Sequence, residues 1–390
     1  MHRHRSRHFS PHLNSLRKHL IDACIIVTVT LVALVALEYA ARIASAAHGM
    51  LLHQENPVLA RQPWGRQYQD DQSRLAYGYT AYVGFRELKL SSPTINVDED
   101  RRRIVPGSCA RDGRTTIWAF GGSTMFGYGA PDDGTIPAHL ARILNAKGRC
   151  TQVINFGSGY WQSSQGVVQL TRALAQGSRP DIVVFYDGIN DTAVVLDGSN
   201  PGDIDAMADP FLENAFAYRP AILRQISLES VLVRILRNRI WNPIAGVEPL
   251  DKKKLAGAAP MAVATANVYA ENLRMLEALA RQYSFSAYFF LQPQLLISAK
   301  TPTDAERAVR DADAHWQDEA RVYRDFYAAY RSHVYLARNP RFFDISRIFE
   351  GMSEEIFADP EHLLPEGNRI VAERIAREIG SGTTARAGMR

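Results

Sequence analysis

The sequence predicts an α/β fold with a parallel sheet of about five strands, preceded by one apolar helix near the N-terminus. Two observations lead to this prediction. From residue 115 onward, short apolar runs alternate with segments of helical periodicity, and before residue 48 an uncharged apolar run follows a basic tail. With 46% hydrophobic and 22% charged residues among 390, the composition excludes wholesale disorder, a collagen-like repeat and a polytopic membrane protein.

The basic tail, residues 1–19, accounts for the net charge of +4. It carries five basic residues and no acidic residue, so the rest of the chain is close to neutral, at −1. The five are Arg3, Arg5, Arg7, Arg17 and Lys18. Because the excess is confined to the tail, it indicates membrane topology and gives no reason to expect a nucleic-acid partner.

Residues 20–47 are predicted to form a signal anchor, that is, a transmembrane helix that stays attached. The uncharged run between Asp22 and Glu38 has fifteen residues, whereas a membrane span needs about 20. A retained anchor is favoured over a signal peptide cleaved near residues 44–46, and a buried core helix is the third alternative. The positive-inside rule predicts a cytoplasmic tail and an extracytoplasmic body, which in a bacterium is periplasmic and held in the inner membrane.

Cys109 and Cys150 are the two cysteines that follow the apolar run. Each lies just upstream of a predicted strand, and neighbouring parallel strands would bring these starts together. A possible disulfide between them would close a loop of about 40 residues, which suits an exported protein. Two unpaired thiols are the alternative.

The body divides into a lead-in segment, 48–114, and a main domain, 115–385. The lead-in has no clear periodicity and is interpreted as packing on the main domain. Residues 192–260 form an insert with Gly, Pro and Asp clusters; it is long for a connection, which is typical of a lid or a binding insert.

The main domain contains five predicted strands joined by helical segments. The strands are 115–120, 152–156, 181–186, 287–291 and 342–345. The helical stripes lie at 136–144, 167–174, 268–279, 304–332 and 366–379.

Four short polar motifs stand at the ends of the predicted strands or beside the sheet edge, where functional groups gather in parallel sheets. They are GGST at 121–124, NFGSG at 155–159, GIND at 188–191 and DPEH at 359–362. Taken singly, the glycine-rich turns also suit phosphate binding or helix capping, the Asn-Asp pair suits an ordinary turn, and Asp-x-x-His suits a surface pair. Occurring together in this order, they indicate a nucleophilic serine with a histidine base.

These motifs resemble the conserved blocks of the SGNH hydrolases, also called GDSL-like esterases. Gly122 stands where many members have Asp. The first, second, third and fifth blocks of the family are matched between residues 115 and 380, and the insert is unmatched. The resemblance implies a three-layer α/β/α, flavodoxin-like fold.

The resemblance also implies the roles of the site residues. Ser123 would be the nucleophile, His362 the base and Asp359 the orienting acid. The oxyanion hole would be formed by the N–H of Ser123, the N–H of Gly159 and the side-chain amide of Asn190. In many members the second-block glycine stands five residues after the Asn; here Tyr160 occupies that place, so Tyr160 is the alternative donor.

The predicted activity is carboxylic ester hydrolysis, most simply the removal of acetyl or other short acyl groups from a cell-surface or exported polysaccharide. Tyr160 and Trp161 would contact a sugar chain. Packing of these two side chains within the protein is an equally good interpretation. The alternatives are a lipid esterase or lysophospholipase, a glycan O-acyltransferase and a non-catalytic polysaccharide-binding scaffold. The expected partners are an acylated glycan or lipid substrate and the membrane. No cofactor is expected, and no metal site, because no His or Cys cluster has metal-site spacing.

Overall fold

The computed structural model describes residues 11–51, 56–146, 148, 150–196, 199–204, 259–313 and 315–387. Most of the predicted insert at 192–260 therefore lies outside the described residues, as do residues 1–10 of the predicted tail. The described residues fall into two compact units, residues 11–51 and the residues from 56 onward.

The first unit is one helix, α1 (Pro11–Leu51). Within it, Lys18–Ala41 comprises 24 residues with a mean hydropathy of 2.7. By length and composition this segment is able to cross a membrane, and a signal sequence has the same properties. The predicted N-terminal apolar helix is thus present.

The second unit is built from short strands and surrounding helices. Its described strands are β1 (Tyr77–Thr80), β2 (Gly84–Glu87), β3 (Thr115–Gly121), β4 (Thr151–Asn155), β5 (Ile182–Asp187), β6 (Ser286–Leu291) and β7 (Phe342–Asp344). Its described helices are α2 (Gly65–Ser73), α3 (Ser123–Phe126), α4 (Ile136–Ala146), α5 (Ser163–Ala175), α6 (Ile189–Leu196), α7 (Ala262–Tyr283), α8 (Asp304–Asp311), α9 (Trp316–Ser332), α10 (Val334–Arg338) and α11 (Pro365–Ala387).

Strands β3 to β7 form the predicted five-stranded sheet, in the order β4-β3-β5-β6-β7 with every neighbouring pair parallel. The predicted ends of these strands agree with the structure to within one residue. Strands β1 and β2 form a separate antiparallel hairpin in the lead-in segment, which the sequence analysis did not predict.

Helices cover both faces of the sheet. Successive residues of a strand point to opposite faces, so alternate residues of β5 enter two different cores. Val183 and Phe185 of β5 join a core with residues of α5, α7 and α9. Val184 and Tyr186 join a second core with residues of α4 and α11. The predicted fold class, a three-layer α/β/α sandwich, is confirmed.

The order of the strands places the carboxyl ends of β3 and β5 side by side. Strand β3 pairs with β4 on one edge and with β5 on the other, so the sheet grows in opposite directions from β3. This is the switch point where parallel sheets bind ligands. The turns that leave β3 and β5 carry Ser123 and Asn190.

One predicted helix is divided in two. The stripe at 304–332 predicted a continuous helix, but α8 ends at Asp311 and α9 begins at Trp316. Between them, the side chain of Asp313 accepts a hydrogen bond from the N–H of His315 at 2.7 Å. A side chain that binds nearby backbone competes with helical hydrogen bonding, which explains the break.

Cys109 and Cys150 form a disulfide at the amino ends of β3 and β4. The N–H of Cys109 donates to Thr151 O, and the N–H of Thr115 donates to Cys150 O, both at 2.9 Å. The bridge therefore lies at the end of the sheet opposite Ser123.

The lead-in segment packs against loops of the main domain through buried polar contacts. Asn56 donates to the carbonyl of Ala358, and the Tyr68 hydroxyl accepts from the N–H of Gly129, both at 2.8 Å. Arg103, 1% exposed, donates to the carbonyls of residues 127 and 130. These contacts join the lead-in to the loops that surround Ser123 and His362.

Candidate active site

Ser123 is the first residue of α3, directly after the Gly-Gly turn that ends β3. The N–H groups in the first turn of a helix have no acceptor within the helix, so the Ser123 N–H is available to a ligand. The Ser123 hydroxyl lies 2.7 Å from Nε2 of His362. The nucleophile and base predicted from separate motifs are therefore in hydrogen-bond contact.

Asp359 holds the imidazole of His362 from the other side. Its two carboxylate oxygens lie 2.9 and 2.8 Å from Nδ1. One of these oxygens also accepts from the N–H groups of Glu361 and His362, both at 2.9 Å. A carboxylate on Nδ1 favours the tautomer with hydrogen there, which leaves Nε2 free to accept the serine proton.

The charge of each partner shifts the pKa of the other. Burial alone would raise the pKa of Asp359, but the positive charge and hydrogen bond of His362, with the neighbouring backbone N–H groups, hold it below its ordinary value. Burial alone would lower the pKa of His362, but the charge and hydrogen bond of Asp359 raise it above its ordinary value. Proton uptake by His362 is thus favoured, as the attack of Ser123 requires.

Asn190 lies in the first turn of α6, beside the Gly-Gly turn. Its side-chain amide donates to the carbonyl of Trp161 at 2.8 Å. This bond uses one of the two N–H groups of the amide, and the second can donate to a ligand. A Cβ built on Gly122 would lie 2.2 Å from the Asn190 amide nitrogen. The absence of a side chain at position 122 therefore allows this amide to lie against the residue that precedes Ser123.

Asp191, the next residue, makes a structural contact with the start of α5. Its buried carboxylate accepts from the N–H and the hydroxyl of Ser163, the first residue of α5. This contact joins the third motif to the helix that follows the second, so Asp191 positions the turn around Asn190.

Gly159 does not provide the predicted oxyanion donor. Its N–H donates to the buried carboxylate of Glu87 at 2.7 Å, which engages the only hydrogen this amide has. Tyr160, the predicted alternative, has a φ of 64°, in the left-handed region that favours glycine. Its N–H donates to no acceptor among the residues that the structure describes. The backbone of position 160 thus adopts a glycine-like conformation, although the residue is Tyr.

Tyr160 and Trp161 differ in exposure, so the two predicted substrate contacts have different outcomes. The Tyr160 side chain is 49% exposed and its ring lies 6.2 Å from that of Tyr77. Trp161 is 1% exposed, and its indole N–H donates to the carbonyl of Phe85 at 3.0 Å. The Trp161 side chain is therefore packed against the lead-in hairpin, which favours packing, the alternative that the sequence left open, over contact with substrate.

Gln292, directly after β6, is a site residue that the sequence analysis missed. Its buried amide accepts from the N–H of Ile189 at 3.1 Å and donates to the hydroxyl of Thr124. It therefore ties the turns after β3 and β5 together. A polar residue at the end of a buried strand was the signal that could have identified it.

No group of three or more His, Cys, Asp or Glu side chains among the described residues is arranged to hold a metal ion.

Neither a model of a known protein family nor a curated protein sequence matches this chain. Solved structures do resemble it. An acetyl xylan esterase is 14% identical, over 68% of this chain and 98% of its own, with a TM-score of 0.35. A psychrotrophic esterase from Pseudoalteromonas sp. is 11% identical, over 69% and 99%, with a TM-score of 0.35.

A member of the lipolytic protein G-D-S-L family from Veillonella parvula is 12% identical, over 66% of this chain and 94% of its own, with a TM-score of 0.33. At such identities and TM-scores the similarity is distant, and no conclusion about the reaction follows from it. The solved structures that resemble this chain include esterases and lipolytic proteins of the G-D-S-L family.

Proposed function

We propose that the protein is a serine ester hydrolase with Ser123 as nucleophile, His362 as general base and Asp359 as the acid that orients the imidazole. The observation that supports this most strongly is the continuous hydrogen-bond chain from the Ser123 hydroxyl through both nitrogens of His362 to the carboxylate. Three side chains from two distant segments meet in the order that nucleophilic catalysis needs.

In the proposed reaction, Ser123 Oγ attacks the ester carbonyl while His362 Nε2 takes its proton and then passes it to the leaving alcohol. Water, activated by the same imidazole, hydrolyses the acyl-serine and regenerates the hydroxyl. The developing oxyanion is held by the N–H groups of Ser123 and Tyr160 and by the Asn190 amide. Each such donor contributes about 3 to 4 kcal/mol to the transition state.

The proposed substrate is a cell-surface or exported polysaccharide carrying acetyl or other short acyl groups. The exposed ring of Tyr160 supports this proposal. It belongs to the same residue as the proposed oxyanion N–H, and it offers an amphipathic surface to a sugar ring. Tyr160→Gly would keep the backbone N–H and remove this ring. We expect it to raise KM for an acetylated glycan while kcat for an aryl acetate stays within about threefold of wild type.

The proposed location is the inner membrane of a bacterium, with tail 1–19 in the cytoplasm, anchor 20–47 in the bilayer and the lead-in and hydrolase domain, 48–114 and 115–385, in the periplasm. The basic tail ahead of the apolar helix supports this orientation. The disulfide of the body suits an oxidising compartment.

The test is acyl release by the full chain in detergent from acetylated glycans, aryl esters and lysolipids, with Ser123→Ala as the inactive control. We expect wild type to release acetate from glycans and Ser123→Ala to release none. Release confined to long-chain acids would replace the glycan by a lipid substrate. Transfer of acetyl to a second glycan in place of water would identify an acyltransferase.

A further inference from the structure

We propose that Glu87, contributed by the lead-in hairpin, is a positioning residue that sets the direction of the Tyr160 N–H in the oxyanion hole. This inference depends on the proposed ester hydrolysis. Glu87 is the last residue of β2 and is fully buried. Its side chain enters the turn after β4 and makes no hydrogen bond to Ser123.

Both carboxylate oxygens of Glu87 bind this turn. One accepts from the N–H of Gly159 and the other from the hydroxyl of Ser158, each at 2.7 Å. These are the two residues that precede Tyr160. The carboxylate therefore holds the Ser158–Gly159 peptide plane. The Tyr160 N–H lies in the following plane, which is joined to the first through the φ and ψ of Gly159, so holding the first plane limits the directions open to the second.

The rest of the turn is fixed by backbone and by Asn155. The Asn155 side chain accepts from the N–H of Gly157 at 2.8 Å, and the N–H of Ser158 donates to Gly121 O at 3.2 Å. The N–H of Trp161 closes the far end of the turn by donating to Ser158 O at 3.3 Å. Between these anchored ends, the Glu87 carboxylate is the described acceptor of the Gly159 N–H. Without this acceptor the buried Gly159 N–H has lost its partner, which favours a rotation of its peptide away from the present direction.

The same carboxylate reaches toward the base. The hydroxyl of Tyr128 donates to Glu87 at 3.4 Å and also contacts the hydroxyl of Tyr77. The ring of Tyr128 lies 5.4 Å from the imidazole of His362. Glu87 thus contacts both the turn that carries Tyr160 and the hydroxyl of Tyr128, whose ring lies beside the imidazole of His362.

The test compares Glu87→Met, which keeps the size and removes both acceptors, with Glu87→Gln, which keeps an acceptor for the Gly159 N–H. We expect Glu87→Met to lower kcat for an aryl acetate by about 100-fold with KM within about threefold. Its affinity for a trifluoromethyl ketone, which forms an oxyanion on Ser123, should fall by the same factor. Glu87→Gln should restore both values to within about tenfold of wild type.

The matched control is Asp71→Leu. Asp71 is also a buried carboxylate of the lead-in, and it accepts from an N–H and a hydroxyl of one residue, Thr94, at 3.0 and 2.7 Å. The Asp71→Leu variant should have a lower melting temperature than wild type, with kcat and the affinity for the ketone unchanged. Equal losses of kcat in Asp71→Leu and Glu87→Met would overturn the inference, since they would report general destabilisation.

Should Glu87→Met fail to fold, Ser158→Ala decides the matter by removing one of the two contacts. A three- to tenfold loss of kcat at constant KM, roughly the cost of one hydrogen bond, supports the inference, and an unchanged kcat overturns it. The two proposals fail separately. Full activity in Ser123→Ala refutes ester hydrolysis at this site, whereas loss in Ser123→Ala with none in Glu87→Met refutes the role of Glu87 alone.

Discussion

Adding a single methyl group at Gly122 is expected to disable the oxyanion hole without touching the serine, the histidine or the aspartate. A Cβ at this position would lie 2.2 Å from the Asn190 amide nitrogen and 2.9 Å from the carbonyl oxygen of Trp161. Both distances are shorter than van der Waals contact. In Gly122→Ala the amide must therefore move, and its hydrogen bond to Trp161 must break.

The expected magnitude follows from the loss of one oxyanion donor, about 3 to 4 kcal/mol or a 10²- to 10³-fold fall in kcat. Asn190→Ala removes the same donor directly and should lose a similar factor. If the methyl group acts by displacing the amide, Gly122→Ala should cost little more in the Asn190→Ala background. The double-mutant cycle should therefore be strongly non-additive.

The assay is steady-state hydrolysis of an aryl acetate by the four proteins of the cycle, with folding monitored by circular dichroism. Gly380→Ala is the matched control, because a Cβ there meets no described atom within 4 Å outside its chain neighbours and its own helix backbone. A Gly122→Ala enzyme with wild-type kcat would refute the placement of Asn190. Additive losses in the double variant would refute the displacement mechanism.

Three further outcomes are expected. Because Asp359 raises the pKa of His362, kcat/KM should rise with pH through a midpoint above the ordinary value of about 6.5, as the imidazole loses its proton. Asp359→Asn should move that midpoint down, and an unmoved midpoint would argue against the pair. Replacing Cys109 and Cys150 by Ser should lower the free energy of unfolding by about 3 to 4 kcal/mol, since the cysteines are 41 residues apart, and should leave kcat unchanged. Chemical denaturation measures the first quantity and a parallel activity assay the second. A lower kcat in the folded variant would contradict the position of the bridge far from Ser123. Burial, with the nearby Asp191 charge, raises the pKa of Asp187 well above its ordinary value, so the folded state keeps this proton and wild type loses stability as pH rises. The stability gained in Asp187→Asn should therefore grow by up to about 1.4 kcal/mol per pH unit in urea titrations between pH 5 and 8, whereas a pH-independent difference would contradict it.

The parallel sheet was predictable because its strands are buried on both faces, so that runs such as Ile182–Asp187 are almost wholly apolar. The catalytic motifs were predictable for a related reason, since each stands next to such a strand or before the last helix. The hairpin of β1 and β2 was missed because its strands are only four residues long and do not alternate cleanly between apolar and polar residues.

The partner of the Gly159 N–H could not be predicted from the sequence. Glu87 lies 72 residues earlier in the chain, on a hairpin that was not recognised, and no spacing rule connects them. From the sequence, Trp161 was predicted either to contact a sugar chain or to pack within the protein. Its indole is bound by the same hairpin, so both findings have one physical origin, the contact between the lead-in segment and the turn after β4.

The most direct test of the central claim is labelling with a fluorophosphonate, which reacts with serines activated by a neighbouring base. Peptide mass spectrometry of the labelled full chain should find the phosphonyl group on Ser123, with labelling abolished in Ser123→Ala and strongly slowed in His362→Ala. Equal labelling of wild type and Ser123→Ala, or no labelling of folded wild type, would contradict the assignment of Ser123 as the nucleophile.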